Sequence, residues 1–92
     1  RELAVSHTYP SPAQGAVSVT LALPRAASVE FSVHELQGRR VWAQAPREYP
    51  PGEPVLTWEG ALDAGGLAPP GIYLARVRVE GHLFVRPISR LH

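Results

Sequence analysis

The sequence predicts an all-β domain, a single antiparallel sandwich of about six or seven short strands. Two observations carry this prediction. Apolar and polar residues alternate with a period of two in several short runs, which is typical of strands that bury one face. Turn residues separate these runs at intervals of roughly 8–12 residues. Ten prolines and eight glycines also leave little room for a long helix.

The N-terminal part of the chain predicts a leading segment, a bend and a strand. Residues 1–8 form the leading segment or a short edge strand. Pro10 and Pro12 stiffen residues 9–15, because each proline fixes its own φ and disfavours a helical predecessor. Residues 16–23 then alternate cleanly and predict a strand that ends at Pro24. The residues expected on its buried face are Val17, Val19, Leu21 and Leu23.

Residues 28–35 repeat the alternation, with Val29, Phe31 and Val33 expected inward. A helix is the competing interpretation, since Val29, Val33 and Leu36 also fit a 3.6-residue period. We favour a strand, because valine and phenylalanine prefer strands and a helix would turn Phe31 away from the two valines. Residues 36–38 then form a turn, and residues 39–45 return as the hairpin partner with Val41 in the core.

The middle of the chain predicts one short strand between two loops. Residues 46–54 hold four prolines and Gly52, so we expect a loop there. Residues 55–58 predict the strand. Residues 59–70 form a connection of twelve residues, a length that in compact domains is typical of functional or mobile loops.

A two-residue turn at Glu80-Gly81 predicts a hairpin between residues 71–79 and residues 82–89, because glycine readily takes the positive φ of tight turns. This turn pairs Val79 with His82 and fixes the register of both strands. The residues expected on the buried face are Tyr73, Val77, Val79, Phe84 and Ile88.

The opposite face of this hairpin is more apolar than a solvent-exposed surface usually is. It carries Arg76 and Arg78, and also four aliphatic side chains: Ile72, Leu74, Leu83 and Val85. Such a patch on a small domain indicates that another protein surface covers it. These six residues therefore form a candidate docking face for the parent protein's preceding domain or for a partner. A local bulge that turns some of them inward is the alternative.

Composition excludes several classes of function. Without cysteine there is no disulfide, no thiolate zinc site and no cysteine nucleophile. The net charge of +1 is far from the basic footprint of a nucleic-acid binder, and no apolar run approaches the ~18 residues of a transmembrane segment. Because the chain begins with Arg1, we expect it to belong to a longer polypeptide.

No residue set predicts catalysis or a cofactor. The four histidines lack metal-ligand spacing and are expected on exposed strand faces and at the terminus: His7, His34, His82 and His92. The serines lack a nucleophile elbow. Glu59 and Asp63 raise the alternative of a calcium site, but the loop lacks alternating oxygen ligands, and a turn or solvated role is preferred. We therefore expect no enzyme, no metal and no small-molecule substrate.

The two tryptophans raise the alternative of a carbohydrate-binding accessory module. Trp58 lies beside apolar Leu56 and is expected in the core. Trp42 follows Val41 directly, so in a strand it lies on the opposite face from the core residue, which makes it a candidate exposed aromatic. A sugar platform needs several aromatic residues on one face, and covering a sheet edge or meeting a neighbouring domain explains Trp42 equally well.

Three stretches resemble motifs of one protein family. Tyr9-Pro-Ser-Pro-Ala-Gln-Gly15 resembles the Y-P-N-P-x-x-G opening of the C-terminal sorting domains of the type IX secretion system. His34-Glu-Leu-Gln-Gly-Arg-Arg-Val41 is similar to their Y-D-x-x-G-R-x-V hairpin turn, and Gly71-Ile-Tyr-Leu-Ala-Arg-Val77 to their G-x-Y-x-x-x-V strand. The stretch from Thr57-Trp-Glu-Gly60 to Pro70-Gly-Ile-Tyr73 is closer to the W-D-G…G-x-Y stretch of the related immunoglobulin-like domain of the flagellar hook-capping protein.

The resemblance implies an immunoglobulin-like sandwich, residues 1–92, at the C-terminus of a larger exported bacterial protein. It implies that secretion machinery recognises the folded domain and directs the parent to the cell surface or the medium. The alternative is a structural or assembly module that packs on its parent or on subunits. The recognition-motif candidates are Tyr9, Pro10, Pro12, Gly15, Gly38, Arg39, Gly71 and Tyr73.

These motif residues also have structural explanations. Pro10 and Pro12 stiffen the approach to the first long strand, and Gly38 permits the turn conformation. Tyr73 is expected to anchor the start of its strand through its hydroxyl, as in a tyrosine corner.

Overall fold

A computed structural model describes residues 2–91, which fold into two antiparallel sheets with no helix in that range. The strands are β1 (Ala4–Val5), β2 (Val17–Ala22), β3 (Ala27–Glu35), β4 (Arg40–Ala43), β5 (Arg47–Tyr49), β6 (Val55–Trp58), β7 (Gly71–Val79) and β8 (His82–Arg90). The all-β sandwich that the sequence predicts is confirmed.

The order of the strands is that of an immunoglobulin-like sandwich. The smaller sheet runs β1-β2-β6, and the larger runs β4-β3-β7-β8, with β5 also paired to β3. These orders correspond to strands A-B-E and C-F-G of the immunoglobulin fold, with β4 and β5 lying at the outer edge of β3. The final hairpin therefore forms one side of the larger sheet, and β8 is its edge strand.

The core lies between the two sheets and is built from the predicted alternation. Val29, Phe31 and Val33 of β3 are buried, as are the four inward residues of residues 16–23, so both strand predictions are confirmed. Trp58 is fully buried at the end of β6. Burying each such aliphatic or aromatic side chain contributes about 1.5–3 kcal/mol, and these contributions oppose the entropy lost on folding.

The final hairpin has the predicted register. Val79 pairs with His82 and Tyr73 with Ile88. The register does not shift along the nine cross-strand pairs, which begin with Gly71 opposite Arg90 and end at the turn. Glu80 and Gly81 take φ of 54° and 81°, the two positive values of a type I′ turn. Phe84 is half-buried rather than fully inside, because it lies on the edge strand.

A short strand, β5, lies where the prolines predict a loop. Arg47–Tyr49 pairs with the first half of β3, with Tyr49 opposite Ala27 and Arg47 opposite Val29. The prediction of a loop across all of residues 46–54 is therefore wrong. Prolines flank these three residues but none lies among them, so their N–H groups remain available at a sheet edge.

A β-bulge in β4 overturns the prediction that Trp42 is an exposed aromatic. The register shifts so that Val33 faces Trp42 and His34 faces Arg40, which leaves Val41 as the extra residue. At such a bulge two successive side chains turn to the same face. Val41 is buried as predicted, and the Trp42 ring packs half-buried beside Phe31, with ring centroids 5.4 Å apart.

His34 corrects a second expectation, because it is buried although it lies on the outer face of the sheet. Its Nδ1 lies 3.2 Å from the carbonyl oxygen of Gly38, so Nδ1 carries the proton and donates it. Its Nε2 lies 2.9 Å from Ser32 Oγ. The turn after β3 folds back over the ring. His7 and His82 are exposed as expected, and His92 lies outside the described residues.

Candidate functional site

The three motif stretches lie at the same end of the sandwich. β3 ends where β7 begins, with Glu35 opposite Tyr73, and β8 ends there too, with Gly71 opposite Arg90. In the other sheet β2 begins opposite the last residue of β6. Residues 9–15, 36–39 and 59–70 therefore share one end, which we call the motif end.

Arg90 joins the loops of the motif end, and sequence reasoning missed it. Its buried guanidinium donates through Nε to Ala68 O at 2.8 Å and through Nη1 to Gly15 O at 3.2 Å. It also lies over the ring of Trp58, 5.7 Å from the centroid. A Cβ on Gly60 would lie 2.6 Å from Arg90 Nη2, so this contact requires glycine in Trp58-Glu-Gly60.

The first motif is a strap that connects the smaller sheet to β8. Tyr9 exchanges main-chain hydrogen bonds with Ser18, and its hydroxyl lies 2.6 Å from Thr20 Oγ1. Ala13 donates to Ser89 O and accepts from Leu91 N, both at 2.8 Å. Pro10 and Pro12 are exposed on this strap, as is Gly15.

Tyr73 anchors the start of β7 as its motif predicts. Its hydroxyl donates to Pro69 O at 2.6 Å, four residues upstream, and its ring lies 5.7 Å from that of Trp58. This is the geometry of a tyrosine corner, which fixes the end of the long loop against the core.

The second motif closes the β3–β4 turn. Glu35 N donates to Arg39 O, and Gly38, with φ of 101°, donates to Glu35 O. The Arg39 guanidinium forms a two-point contact with the Glu35 carboxylate, at 2.8 and 3.3 Å. This hydrogen bond lowers the pKa of Glu35 and raises that of Arg39. The pair lies in solvent, which screens it.

The outer face of the final hairpin is exposed in the isolated domain. Ile72, Leu83 and Val85 are 47%, 41% and 40% exposed, and Leu74 is half-buried. The uninterrupted β7–β8 register removes the alternative of a bulge. These four side chains form the aliphatic strip.

Arginines border the aliphatic strip. Arg76 lies opposite Val85, and Arg78 lies opposite Leu83. Arg78 Nε approaches Glu30 Oε1 at 3.8 Å, while Arg76 forms no salt bridge with any residue between positions 2 and 91. A shallow groove of about 170 Å³ runs between these arginines, His34 and Arg40.

The residues that the structure describes were also considered as a metal site, a sugar-binding platform and a membrane-spanning segment. Among residues 2–91 no group of three or more histidine or carboxylate side chains is placed to hold a metal ion. Trp58 is buried and Trp42 packs against it with ring centroids 6.4 Å apart, so the two form no exposed sugar platform. No helix within the described range is long and apolar enough to cross a membrane.

Comparison with known proteins gives a likeness of fold. No family model and no curated protein matches the sequence. The fold is similar to part of the crystal structure of dimeric latent PorU from Porphyromonas gingivalis, with a TM-score of 0.76 and 14% sequence identity. The match covers 99% of this chain and 10% of that chain, so this chain spans about a tenth of PorU's length.

Proposed function

We propose that this chain is a non-catalytic sorting domain, which directs an exported parent protein through the outer membrane by a type IX pathway. Its recognition is between proteins: secretion machinery binds the folded surface, and no bond is made or broken by the domain. The parent then reaches the cell surface or the medium.

The observation that carries the proposal is the likeness to PorU along 99% of the chain. PorU is a protein of the type IX secretion system, the same system whose sorting domains the three motifs resemble. Fold comparison and motif resemblance are separate observations, and both favour the same pathway.

The architecture suits a domain that is recognised as a rigid body. Arg90, Tyr73 and the strap of residues 9–15 fix the loops of the motif end to the core. The β7–β8 hairpin presents the aliphatic strip beside arginines on one continuous surface. Rigid surfaces lose less conformational entropy when a partner binds, which favours recognition of the folded domain.

A reporter fusion tests this function. We expect a periplasmically exported fluorescent protein that carries residues 1–92 at its C-terminus to reach the surface or medium of a type IX-competent host. The matched control is the same fusion in a strain without the translocon, where the reporter should stay in the periplasm. Equal distribution in the two strains would reject the sorting function.

The second candidate is a structural module of the hook-capping type, which packs on its parent or on subunits. The exposed aliphatic strip favours it too, because such a surface is typical of contacts between domains. Sedimentation velocity of the isolated domain over a range of concentrations tests packing on subunits. Self-association through the strip supports an assembly module that packs on subunits, whereas a monomer at all concentrations rejects that form of it.

A further inference from the structure

The second half of β8 is covered by the strap. Ala13 bonds with the main chain of Ser89 and Leu91, and Thr8 Oγ1 donates to Pro87 O at 2.6 Å. Pro87 has no N–H to offer a neighbouring strand. From position 87 onward the outer edge of β8 is therefore closed.

The first half of β8 is open along the same edge, apart from the carbonyl of Val85, which accepts a hydrogen bond from Arg86 Nη1 at 3.0 Å. Ser89 and Leu91 bond away from β7, so the odd-numbered residues of β8 direct their main-chain groups outward. Leu83 and Val85 share this direction. Within residues 2–91 no main-chain group bonds the outward N–H groups of these two residues or the carbonyl of Leu83. Such groups at a sheet edge are a template for another strand.

The surface around this open edge is positively charged. Arg76 and Arg78 lie one strand inward on the outer face, and Arg86 lies on the other face, over the Phe84 ring at 5.8 Å. Among residues 2–91 the Glu30 carboxylate approaches Arg78 at 3.8 Å, and neither Arg76 nor Arg86 forms an ion pair with a residue in that range. The whole chain carries a net charge of only +1, so positive charge is concentrated here.

We propose that the open edge of β8 accepts an extended segment of a partner protein as an added strand, and that this segment alternates carboxylate and aliphatic side chains. A polypeptide fits better than a lipid or nucleic acid, because an extended main chain offers both N–H donors and carbonyl acceptors at the spacing of the groups along β8. This proposal names the partner chemistry of the docking function above and rests on it.

The geometry accommodates both kinds of side chain. On the outer face the carboxylates lie about 9.5 Å from β7, two strand spacings. A glutamate and an arginine reach across this distance together, above Leu83 and Val85, and the planar guanidinium matches a carboxylate. On the other face the aliphatic side chains meet the half-buried Phe84.

Designed peptides test the proposal on the isolated 92-residue chain. Three peptides, each nine residues long like β8, alternate valine with glutamate, glutamine or lysine. We expect the glutamate peptide to bind roughly tenfold more tightly than the glutamine peptide at low salt, and the lysine peptide not to bind. In ¹⁵N spectra the largest shifts should lie at Leu83 and Val85.

Matched variants locate the contact. Arg76→Gln with Arg78→Gln should weaken binding of the glutamate peptide roughly tenfold, whereas Arg47→Gln, on β5, should leave it unchanged. Methylating the peptide amides that face β8 should abolish binding without altering the protein. Persistent binding of the methylated peptide, equal binding of all three peptides, or shifts centred on β1-β2-β6 would overturn strand addition.

Two further outcomes separate the proposals. Binding to phosphatidylglycerol vesicles, with no binding of the glutamate peptide at millimolar concentration, would overturn the protein partner. Reporter retained in the periplasm together with intact peptide binding would reject sorting alone. Secretion without peptide binding would reject strand addition alone.

Discussion

Arg90 and Trp58 belong to different sheets, yet the guanidinium of one lies over the ring of the other at 5.7 Å. The same guanidinium bonds the carbonyl groups of Gly15 and Ala68, in two separate loops. One cation thus joins both layers of the sandwich to both loops. The first motif, through Gly15, and the long loop, through Ala68, are thereby fixed to the same side chain at the motif end.

Replacing Arg90 with methionine should destabilise the domain by about 2–3 kcal/mol, because hydrogen bonds to a charged group contribute about 1.5–3 kcal/mol and the carbonyls lose their partner. Urea denaturation followed by tryptophan fluorescence measures the loss. The control is Arg40→Met, at an exposed position of β4 with no ion pair among residues 2–91, which should change stability by less than about 0.5 kcal/mol. Equal losses in the two variants would contradict the role of Arg90.

Gly60→Ala should also destabilise the domain, by more than about 1–2 kcal/mol. An alanine with a positive φ costs about that much by itself, and the steric clash adds to it. The added Cβ meets the Arg90 guanidinium at 2.6 Å, and Gly60 has φ of 89°. In the Arg90→Met background the clash disappears and the backbone cost remains. A double-mutant cycle should therefore show coupling above about 0.5 kcal/mol, and strict additivity would count against the contact.

Tyr73→Phe should lower the free energy of unfolding by about 1 kcal/mol, because it removes one hydroxyl and leaves the Pro69 carbonyl without its donor. Tyr9→Phe is the matched control, since its hydroxyl bonds Thr20 at an exposed position. We expect the smaller loss there. If the two variants unfold at the same denaturant concentration, the tyrosine corner does not stabilise this domain.

The Glu35–Arg39 pair should make stability depend on pH. The pKa of Glu35 is lowered from 4.5, mainly by the hydrogen bond from Arg39. A carboxyl with a lowered folded pKa stabilises the protein above its unfolded pKa, and this stabilisation is lost as pH falls through the folded value. The Tm difference between the wild type and Glu35→Gln should therefore shrink below pH 4.5. The exposed Glu48→Gln variant is the control, and a Tm difference independent of pH would refute the pairing.

The sequence predicts elements whose local pattern and turn chemistry agree. The β7–β8 hairpin follows from strict alternation around Glu80-Gly81, and the Tyr73 anchor follows from its place at the start of a strand. The bulge at Val41 is not predictable in this way, because a one-residue shift depends on how Trp42 packs against rings distant in sequence.

Longer-range relationships are also invisible to pattern reasoning. β5 forms because the first half of β3 has a vacant edge, which no feature of Arg47–Tyr49 announces. Arg90 is an arginine among nine, at the end of a strand, and its burial arises from loops that lie far from it along the chain. Only the glycine of Trp58-Glu-Gly60 indicates that another side chain packs against the main chain at this position.

The central claim is that the outer face of the final hairpin is what the secretion machinery binds, and reporter secretion by two charge-matched double variants tests it. Arg76→Glu with Val85→Glu alters that face, while Arg47→Glu with Val55→Glu places the same changes at exposed sites outside it. Circular dichroism first establishes that both remain folded. We expect the first variant to hold the reporter in the periplasm and the second to export it as the wild type does; export by both would contradict the account.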